Sequence, residues 1–208
     1  GSNLVRLLID SGHDVRVFIF PGSRSNTLDG LPIERVPGDI TDAGAVSAAA
    51  EGCEAVFHVA ASTAMWPPRD PKITAINVDG TRNVLDAVEQ HGARRLVHVG
   101  SASSFGFGSK ERPGTEESPF KYSSLGLAYF DSKLEAQRMV RERVEQGRVD
   151  AVVVNPTFMF GRYDSGPSSG EIIVKVAEGM VPFYSPGGRN FVHVEDVAQA
   201  MLSAFEKG

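Results

Sequence analysis

Short apolar segments alternate with helix-forming segments along almost the whole chain, and this alternation constrains the fold more than any other feature. The apolar segments are short and rich in β-branched residues, which is typical of strands that are covered on both faces of a parallel sheet. The predicted strands are residues 14–20, 33–36, 55–60, 95–99 and 150–154, with a short extended piece at 190–194. The predicted helices are residues 2–11, 42–51, 71–91, 129–145, 171–178 and 195–206. This order predicts one doubly wound α/β domain over residues 1–208, with its ligand beyond the carboxyl ends of the strands.

The composition excludes several other classes of protein. The chain has 208 residues, of which 41% are hydrophobic, and a formal net charge of -5 without a basic stripe, so we expect no nucleic-acid partner. A single cysteine, Cys53, excludes an internal disulfide framework and fits a reducing compartment. No apolar run approaches the roughly 18 residues of a membrane span. No signal peptide precedes the first predicted helix, so we expect a cytoplasmic protein with no membrane partner.

A tyrosine and a lysine four residues apart give the sharpest chemical hypothesis. Tyr129 and Lys133 begin a segment of helix formers that contains no proline or glycine before Gly147, so their side chains share one helix face. A nearby ammonium favours the phenolate and lowers a tyrosine pKa from about 10 towards the working pH. Such a phenol can give a proton to a carbonyl oxygen or take one from an alcohol. The competing interpretation is a tyrosine and a lysine on a solvated helix face.

The residues that follow the predicted strands are the next candidates for ligand contacts. Small residues at 60–62 would let a planar ligand approach the backbone, although a strand end packed under a helix has the same composition. Ser101 follows the fourth strand, where its hydroxyl could bond a substrate carbonyl or belong to a polar loop. Pro156 cannot continue a strand ladder and would open the floor of a crevice. His58 and His98 lie inside strands and are interpreted as core residues.

The end of the first predicted strand bears on the choice of cofactor. A dinucleotide-binding fold keeps an acidic residue near this position to hold the adenosine ribose, and none follows Phe20. Arg24 could instead hold a 2′-phosphate. The sequence therefore favours NADP and leaves NAD open, because exposed loop arginines are common.

Taken in order, these motifs resemble the extended short-chain dehydrogenase/reductase family, also called the NAD-dependent epimerase/dehydratase family, over essentially all 208 residues. The resemblance rests on Gly38-Asp39-Ile40-Thr41-Asp42, Phe57-His58-Val59-Ala60-Ala61, Asn77-Val78-Asp79-Gly80-Thr81, Val97-His98-Val99-Gly100-Ser101, Tyr129 with Lys133, Asn155-Pro156-Thr157 and Phe191-Val192-His193-Val194-Glu195-Asp196. It implies a Rossmann-like domain that carries NAD(P), with Tyr129 as acid/base, Lys133 as its partner and Ser101 orienting the substrate oxygen. The cofactor contacts that it implies are Gly1, Asp39, Ile40, Val59, Ala60, Ala61, Tyr129, Lys133, Pro156 and Thr157, beside Arg24. We expect no metal site.

The chain departs from the family pattern at both ends. Gly1 resembles the last glycine of the family's glycine-rich turn, so the first strand and the earlier glycines are expected to be missing, together with most of the carboxyl-terminal substrate lobe. We therefore expect weak or no activity from this chain and an enzyme in the complete protein. A lost central strand would leave unpaired backbone groups and exposed apolar surface.

The substrate is left between three interpretations. The exit after the fifth strand and the absence of an acid after Phe20 resemble the dihydroflavonol-reductase-like branch, which reduces ketones or aldehydes with NADPH. The alternatives are a nucleotide-sugar epimerase/dehydratase and a non-catalytic NAD(P)H-binding regulator. Trp66 could stack on a substrate ring or anchor its loop, and the loop at 163–170 could be a lid or simply mobile. A homodimer through the 71–91 and 129–145 helices is permitted.

Overall fold

The computed structural model describes residues 1–164, 166, 169–183 and 187–208. The expected lid at 163–170 includes Ser165, Pro167 and Ser168, which lie outside the described residues, so that interpretation stays untested. Helices and parallel strands alternate over most of the described residues from Ser2 onwards. The α/β fold class is therefore confirmed.

The strands and helices agree with the predicted elements apart from one additional strand. The strands are β1 (Val15–Ile19), β2 (Ile33–Pro37), β3 (Ala55–His58), β4 (Arg95–Val99), β5 (Ala151–Val154), β6 (Phe158–Phe160) and β7 (Phe191–His193). The helices are α1 (Ser2–Asp10), α2 (Ala43–Ala50), α3 (Pro71–Thr74), α4 (Gly80–His91), α5 (Ala128–Glu145), α6 (Glu171–Ala177) and α7 (Val194–Lys207). Strand β6 was not predicted, and β3 ends at His58 rather than at residue 60.

Among the described residues, the single predicted sheet is divided into three parallel sheets. Strand β1 pairs with β2, β4 lies between β3 and β5, and β6 pairs with β7. A cavity of about 910 Å³ lies between β1 and β3 and is lined by residues of both strands, including Val17 and Phe57. In the described part of the chain the edges of β1 and β3 that adjoin this cavity have no strand partner. The pairing of parallel strands is therefore interrupted between β1 and β3 among the described residues.

Strand β4 is buried on both faces, as the continuous apolar pattern predicted. Leu96 packs with Leu85 and Val140 of α4 and α5, and the next residue, Val97, packs with Leu8 and Met201 of α1 and α7. Successive side chains of a strand point to opposite faces, so the two clusters lie on the two sides of the sheet. The carboxyl end of β4 is thereby fixed in the middle of the molecule, and the candidate site is built there.

The predicted helix at 71–91 is continuous but contains a π-helical turn. It begins with Asp70, whose Oδ1 accepts the backbone N–H of Lys72, and with Pro71 in the first turn, where no N–H is needed. It ends at His91 and is capped by Gly92, which has a positive φ of 65°. Residues Ala75–Asp79 form the π turn between α3 and α4. Such turns are frequent at functional sites.

Candidate active site

The amine of Lys133 lies at the carboxyl end of β4. Its Nζ donates a hydrogen bond of 2.8 Å to the carbonyl oxygen of Val99, the last residue of that strand. The side chain is 5% exposed, and this burial lowers the pKa of Lys133 to about 8. With a pKa of about 8, roughly nine in ten Lys133 side chains are still ammonium at pH 7. A buried cation is therefore present at the strand end under neutral conditions.

Ser101 is held at the same strand end. Its backbone N–H donates to Asn155 Oδ1 at 2.8 Å, and its hydroxyl lies 2.7 Å from the hydroxyl of Ser103. Ser101 Oγ also accepts the N–H of Ser103 at 3.2 Å and so caps the short helical turn Ala102–Ser104, on which α5 packs. The structure thus brings two of the three predicted catalytic residues, Ser101 and Lys133, to one end of β4.

Tyr129 occupies the first turn of α5, one turn before Lys133. It is half-buried, and its ring meets Phe130 edge-on with centroids 5.5 Å apart. Tyr122 stacks on Phe130, with ring centroids 4.6 Å apart and ring planes inclined by 19°. The aromatic packing holds the amino end of α5 against the loop before it. The acid–base role of Tyr129 stays a prediction.

Asn77, a buried asparagine, connects the loop after β3 to α5. No role for this residue was predicted from the sequence. Asn77, in the π turn, accepts the N–H of Ser62 at 2.7 Å and donates to the Ser62 carbonyl at 3.0 Å. It also donates to Ser132 Oγ at 3.0 Å, and Ser132 in turn donates to the Tyr129 carbonyl at 2.9 Å. The sequence does contain an indication of this role, because Asn77 is a polar residue on the buried face of a predicted helix. Asn77 therefore positions the turn of α5 that carries Tyr129.

His58 and His98 form a buried pair on β3 and β4, as expected of core residues. They are paired in register, and their ring centroids are 5.0 Å apart. Thr81 donates its hydroxyl proton to the Asn77 carbonyl, so its oxygen accepts the hydrogen bond of 2.9 Å from His58 Nε2. Burial, and then Lys133, lower the pKa of His58 to about 3. Burial, then His58 and Lys133, hold the pKa of His98 well below its usual value.

Asp39 and Ile40 follow β2, where the resemblance implies contacts to adenine. Asp39 Oδ1 accepts both the backbone N–H of Thr41 at 2.9 Å and its hydroxyl at 2.8 Å. These two bonds lower the pKa of Asp39. Ile40 packs closely on Gly80 of α4. A Cβ added at this glycine would lie 2.9 Å from Ile40 Cγ2. Asp39 is thus an ionised acceptor beside an apolar surface, which suits a ribosyl-adenine group.

The other predicted cofactor residues lie after β1, β3 and β5 or at the start of α1. Val59, Ala60 and Ala61 follow β3, and Gly1 precedes the first turn of α1. Arg24 is exposed in the loop after β1. The carbonyl of Pro156 accepts the N–H of Ala102 at 3.0 Å, and Thr157 donates to Asn190 Oδ1 at 2.7 Å.

The hydrogen-bonding groups at the carboxyl ends of the strands fit a dinucleotide. The Lys133 ammonium makes one hydrogen bond within the described residues and so retains two N–H groups for ribose hydroxyls. Residues 60–61 are alanines, so the backbone beyond β3 is accessible to a flat ligand. The individual contacts to a cofactor stay predictions.

The described residues contain neither a metal-binding cluster nor a membrane-spanning helix. No group of three or more His, Cys, Asp or Glu side chains is placed to hold a metal ion in the described part of the chain. No helix among the described residues is long and apolar enough to cross a membrane.

Comparison with known proteins gives consistent matches across the chain. The model of the NAD dependent epimerase/dehydratase family matches residues 1–208. Sterol demethylase protein B of Methylococcus capsulatus is 34% identical over 211 residues, covering 100% of this chain and 63% of that protein. Dihydroflavonol 4-reductase of Hordeum vulgare is 26% identical over 230 residues, covering 99% of this chain and 64% of that protein. The chain spans 60% and 63% of the length of the first two curated relatives that it matches.

Solved structures support the same fold. The crystal structure of gox2253 superposes with a TM-score of 0.91 at 32% identity, covering 100% of this chain and 63% of that one. UDP-glucose 4-epimerase of Thermus thermophilus, solved as a complex with NAD, superposes with a TM-score of 0.83 at 23% identity, covering 99% and 71%. The second likeness concerns the fold alone. Together with the parallel strands and the buried β4, these neighbours confirm a Rossmann-like fold.

Proposed function

Since the chain belongs to the NAD-dependent epimerase/dehydratase family, we propose that the whole protein is an NAD(P)-dependent oxidoreductase acting on a carbonyl or alcohol carbon. The observation that carries this proposal is the buried Lys133 ammonium, which is hydrogen-bonded to the Val99 carbonyl at the end of β4. Val99 lies two residues before Ser101. A cation close to a phenol favours the phenolate form. Tyr129 precedes it by one helical turn.

Each of the three residues has a distinct role in this proposal. In the direction of reduction, Tyr129 donates its phenolic proton to the substrate oxygen, and in the direction of oxidation it removes the hydroxyl proton. Lys133 stabilises the resulting phenolate through its charge. Ser101 donates its hydroxyl proton to the substrate oxygen and fixes its position. The bound NAD(P) supplies or accepts the hydride.

We propose NADP as the cofactor, with NAD as the alternative. Arg24 supports the choice because an exposed cation follows β1 where an acidic residue would select a free ribose 2′-hydroxyl. The residues proposed to contact the cofactor are Gly1, Arg24, Asp39, Ile40, Val59, Ala60, Ala61, Tyr129, Lys133, Pro156 and Thr157. The relative Kd values of NADPH and NADH, before and after Arg24→Ala, test this choice.

Within the family we propose a dihydroflavonol-reductase-like reaction on ketones or aldehydes. Two relatives that match the chain are named dihydroflavonol 4-reductase and sterol demethylase protein B. The nucleotide-sugar epimerase/dehydratase reaction is the alternative, supported by the neighbours of that class. A non-catalytic regulator would not need Tyr129, Lys133 and Ser101, and all three are present.

We also propose a homodimer through residues 71–91 and 129–145. Light scattering tests this proposal.

The test is NADPH oxidation by the whole protein over a panel of ketones, aldehydes and nucleotide sugars. Tyr129→Phe should lower kcat by about 100-fold or more, because it removes the proton donor, while leaving the Kd of NADPH unchanged. Tyr122→Phe is the matched control, because it removes a phenol hydroxyl from the neighbouring aromatic packing and should keep kcat. Turnover of Tyr129→Phe near that of the parent would refute the assignment, and NADPH binding without turnover on any compound would favour the regulator.

A further inference from the structure

Within the described part of the chain, the Ser101 hydroxyl makes its hydrogen bonds to one residue, Ser103. Ser101 Oγ accepts the backbone N–H of Ser103 at 3.2 Å and lies 2.7 Å from Ser103 Oγ. A hydroxyl group has one proton to donate and two lone pairs that accept. The N–H therefore occupies one lone pair of Ser101, and the bond between the two hydroxyls can run in either direction.

The available acceptors favour Ser103 as the donor of this second bond. Among the residues that the structure describes, Ser101 Oγ is the one acceptor within hydrogen-bond distance of the Ser103 hydroxyl. If Ser101 donated instead, the Ser103 proton would have no acceptor from this part of the protein. The only proton of Ser101 would then be engaged, and Ser101 could not donate to a substrate oxygen. With Ser103 as the donor, both lone pairs of Ser101 are filled and its proton is available.

The backbone around the two serines is fixed by bonds in which the Ser103 hydroxyl takes no part. The N–H of Ser101 donates to Asn155 Oδ1 at 2.8 Å. The N–H of Ser104 closes the turn by donating to the Ser101 carbonyl at 2.9 Å. Removal of the Ser103 hydroxyl should therefore leave the turn in place and change only the orientation of the Ser101 hydroxyl.

The two serines adjoin the other groups of the candidate site. Ser101 lies two residues after Val99, whose carbonyl accepts the hydrogen bond of the buried Lys133 ammonium. The turn that contains Ser103 packs on α5, the helix that carries Tyr129. The orientation of the Ser101 proton is therefore set beside the groups proposed to act on the substrate oxygen.

We infer that Ser103 is a positioning residue of the proposed reaction, whose hydroxyl donates to Ser101 Oγ and so directs the Ser101 proton to the substrate oxygen. This inference rests on the proposed function and adds one residue to it. A hydroxyl that accepts a hydrogen bond becomes a stronger donor, because the bonds of such a chain polarise one another. The effect is greatest in the transition state, where the substrate oxygen gains negative charge during hydride transfer to the carbonyl carbon.

The first test measures NADPH oxidation by the whole protein, with benzaldehyde and cyclohexanone as the first probes of the panel. Ser103→Ala should lower kcat by about tenfold and leave KM and the Kd of NADPH nearly unchanged, because it weakens a bond that counts mainly in the transition state. Ser103→Thr keeps the hydroxyl and should retain kcat within about twofold of the parent. Ser104→Ala is the matched control, since it removes from the same turn a buried hydroxyl without a partner among the described residues. Equal kcat values for Ser103→Ala and Ser104→Ala would overturn the inference.

A double-mutant cycle separates positioning from a merely structural role. Because Ser103 acts through Ser101, Ser103→Ala should cause no further loss of kcat in a Ser101→Ala background. The same fold loss in both backgrounds would mean that Ser103 acts independently of Ser101, and the inference would be wrong. The Tm of each variant is measured in parallel, so that partial unfolding is not mistaken for a lost orientation.

The two proposals fail in different ways. If Tyr129→Phe abolishes turnover while Ser103→Ala keeps the parent kcat, the inference fails and the proposed reaction stands. If Tyr129→Phe keeps the parent kcat while Ser103→Ala lowers it through Ser101, the role of Tyr129 fails and the inference stands. If the parent oxidises NADPH with no compound of the panel, both fail.

Discussion

Replacing Lys133 with methionine isolates the energetic cost of the buried ammonium. Methionine has a similar length and no charge, so it fills the space of the lysine side chain without requiring solvation. The substitution also deprives the Val99 carbonyl of its partner, and the cost of that loss does not depend on pH. The pH dependence of the difference between parent and variant therefore reports the titration of Lys133 alone.

The magnitude follows from the pKa of the amine in the folded and unfolded chain. Burial lowers the pKa of Lys133 from 10.5 to about 8, so between these values the unfolded chain binds more protons than the folded one. The free energy of unfolding of the parent consequently rises with pH across this window. The complete titration raises the free energy of unfolding by about 3 kcal/mol, of which about 2.5 kcal/mol is gained between pH 7 and pH 10.

The assay is urea unfolding of parent and Lys133→Met at pH 7 and at pH 10. The parent should gain about 2 to 3 kcal/mol relative to the variant as the pH is raised. Lys121→Met serves as the control for the loss of a surface lysine. If the difference in free energy between parent and Lys133→Met is the same at both pH values, the amine is not held as a buried cation, and the electrostatic basis of the proposed mechanism is refuted.

Three further substitutions test the packing around the strand ends. His98→Leu should raise the free energy of unfolding by about 1 to 2 kcal/mol in urea titrations, because both ring nitrogens of His98 are buried without a partner among the described residues. Gly100→Ala should lower it by about 1 to 3 kcal/mol, because the new Cβ would overlap Asn155 Oδ1, and an unchanged Tm would contradict this. Asn77→Ala should lower it by about 2 to 3 kcal/mol in thermal unfolding, since the buried groups that it bonds lose their partner.

The strands and helices could be predicted because their patterns are local. Strand β4 has a continuous apolar sequence, and the structure places Leu96 and Val97 in opposite cores. Strand β6 could not be predicted, because it has three residues and pairs with β7, some thirty positions later. The π turn at Ala75–Asp79 contains Asn77, which bonds residues distant in the sequence, and the hydrophobic periodicity of a helix does not indicate such bonds.

The candidate site was predictable where spacing alone determines geometry. A tyrosine and a lysine four positions apart share a helix face, and Ser101 follows a clear strand. The positions of Lys133 against Val99 and of Ser101 against Asn155 confirm that these elements meet. The lowered pKa of Lys133 itself was not anticipated, because it depends on how completely tertiary packing excludes water from the amine.

The division of the sheet has a consequence for local unfolding. In the described part of the chain, β1 and β2 pair only with each other, and helix contacts such as those between α2 and α4 connect this pair to the rest. A two-stranded sheet alone is marginally stable, whereas β4 has strand neighbours on both sides. The β1 amides should therefore exchange with solvent deuterium through partial openings, while those of β4 exchange only when the whole molecule unfolds.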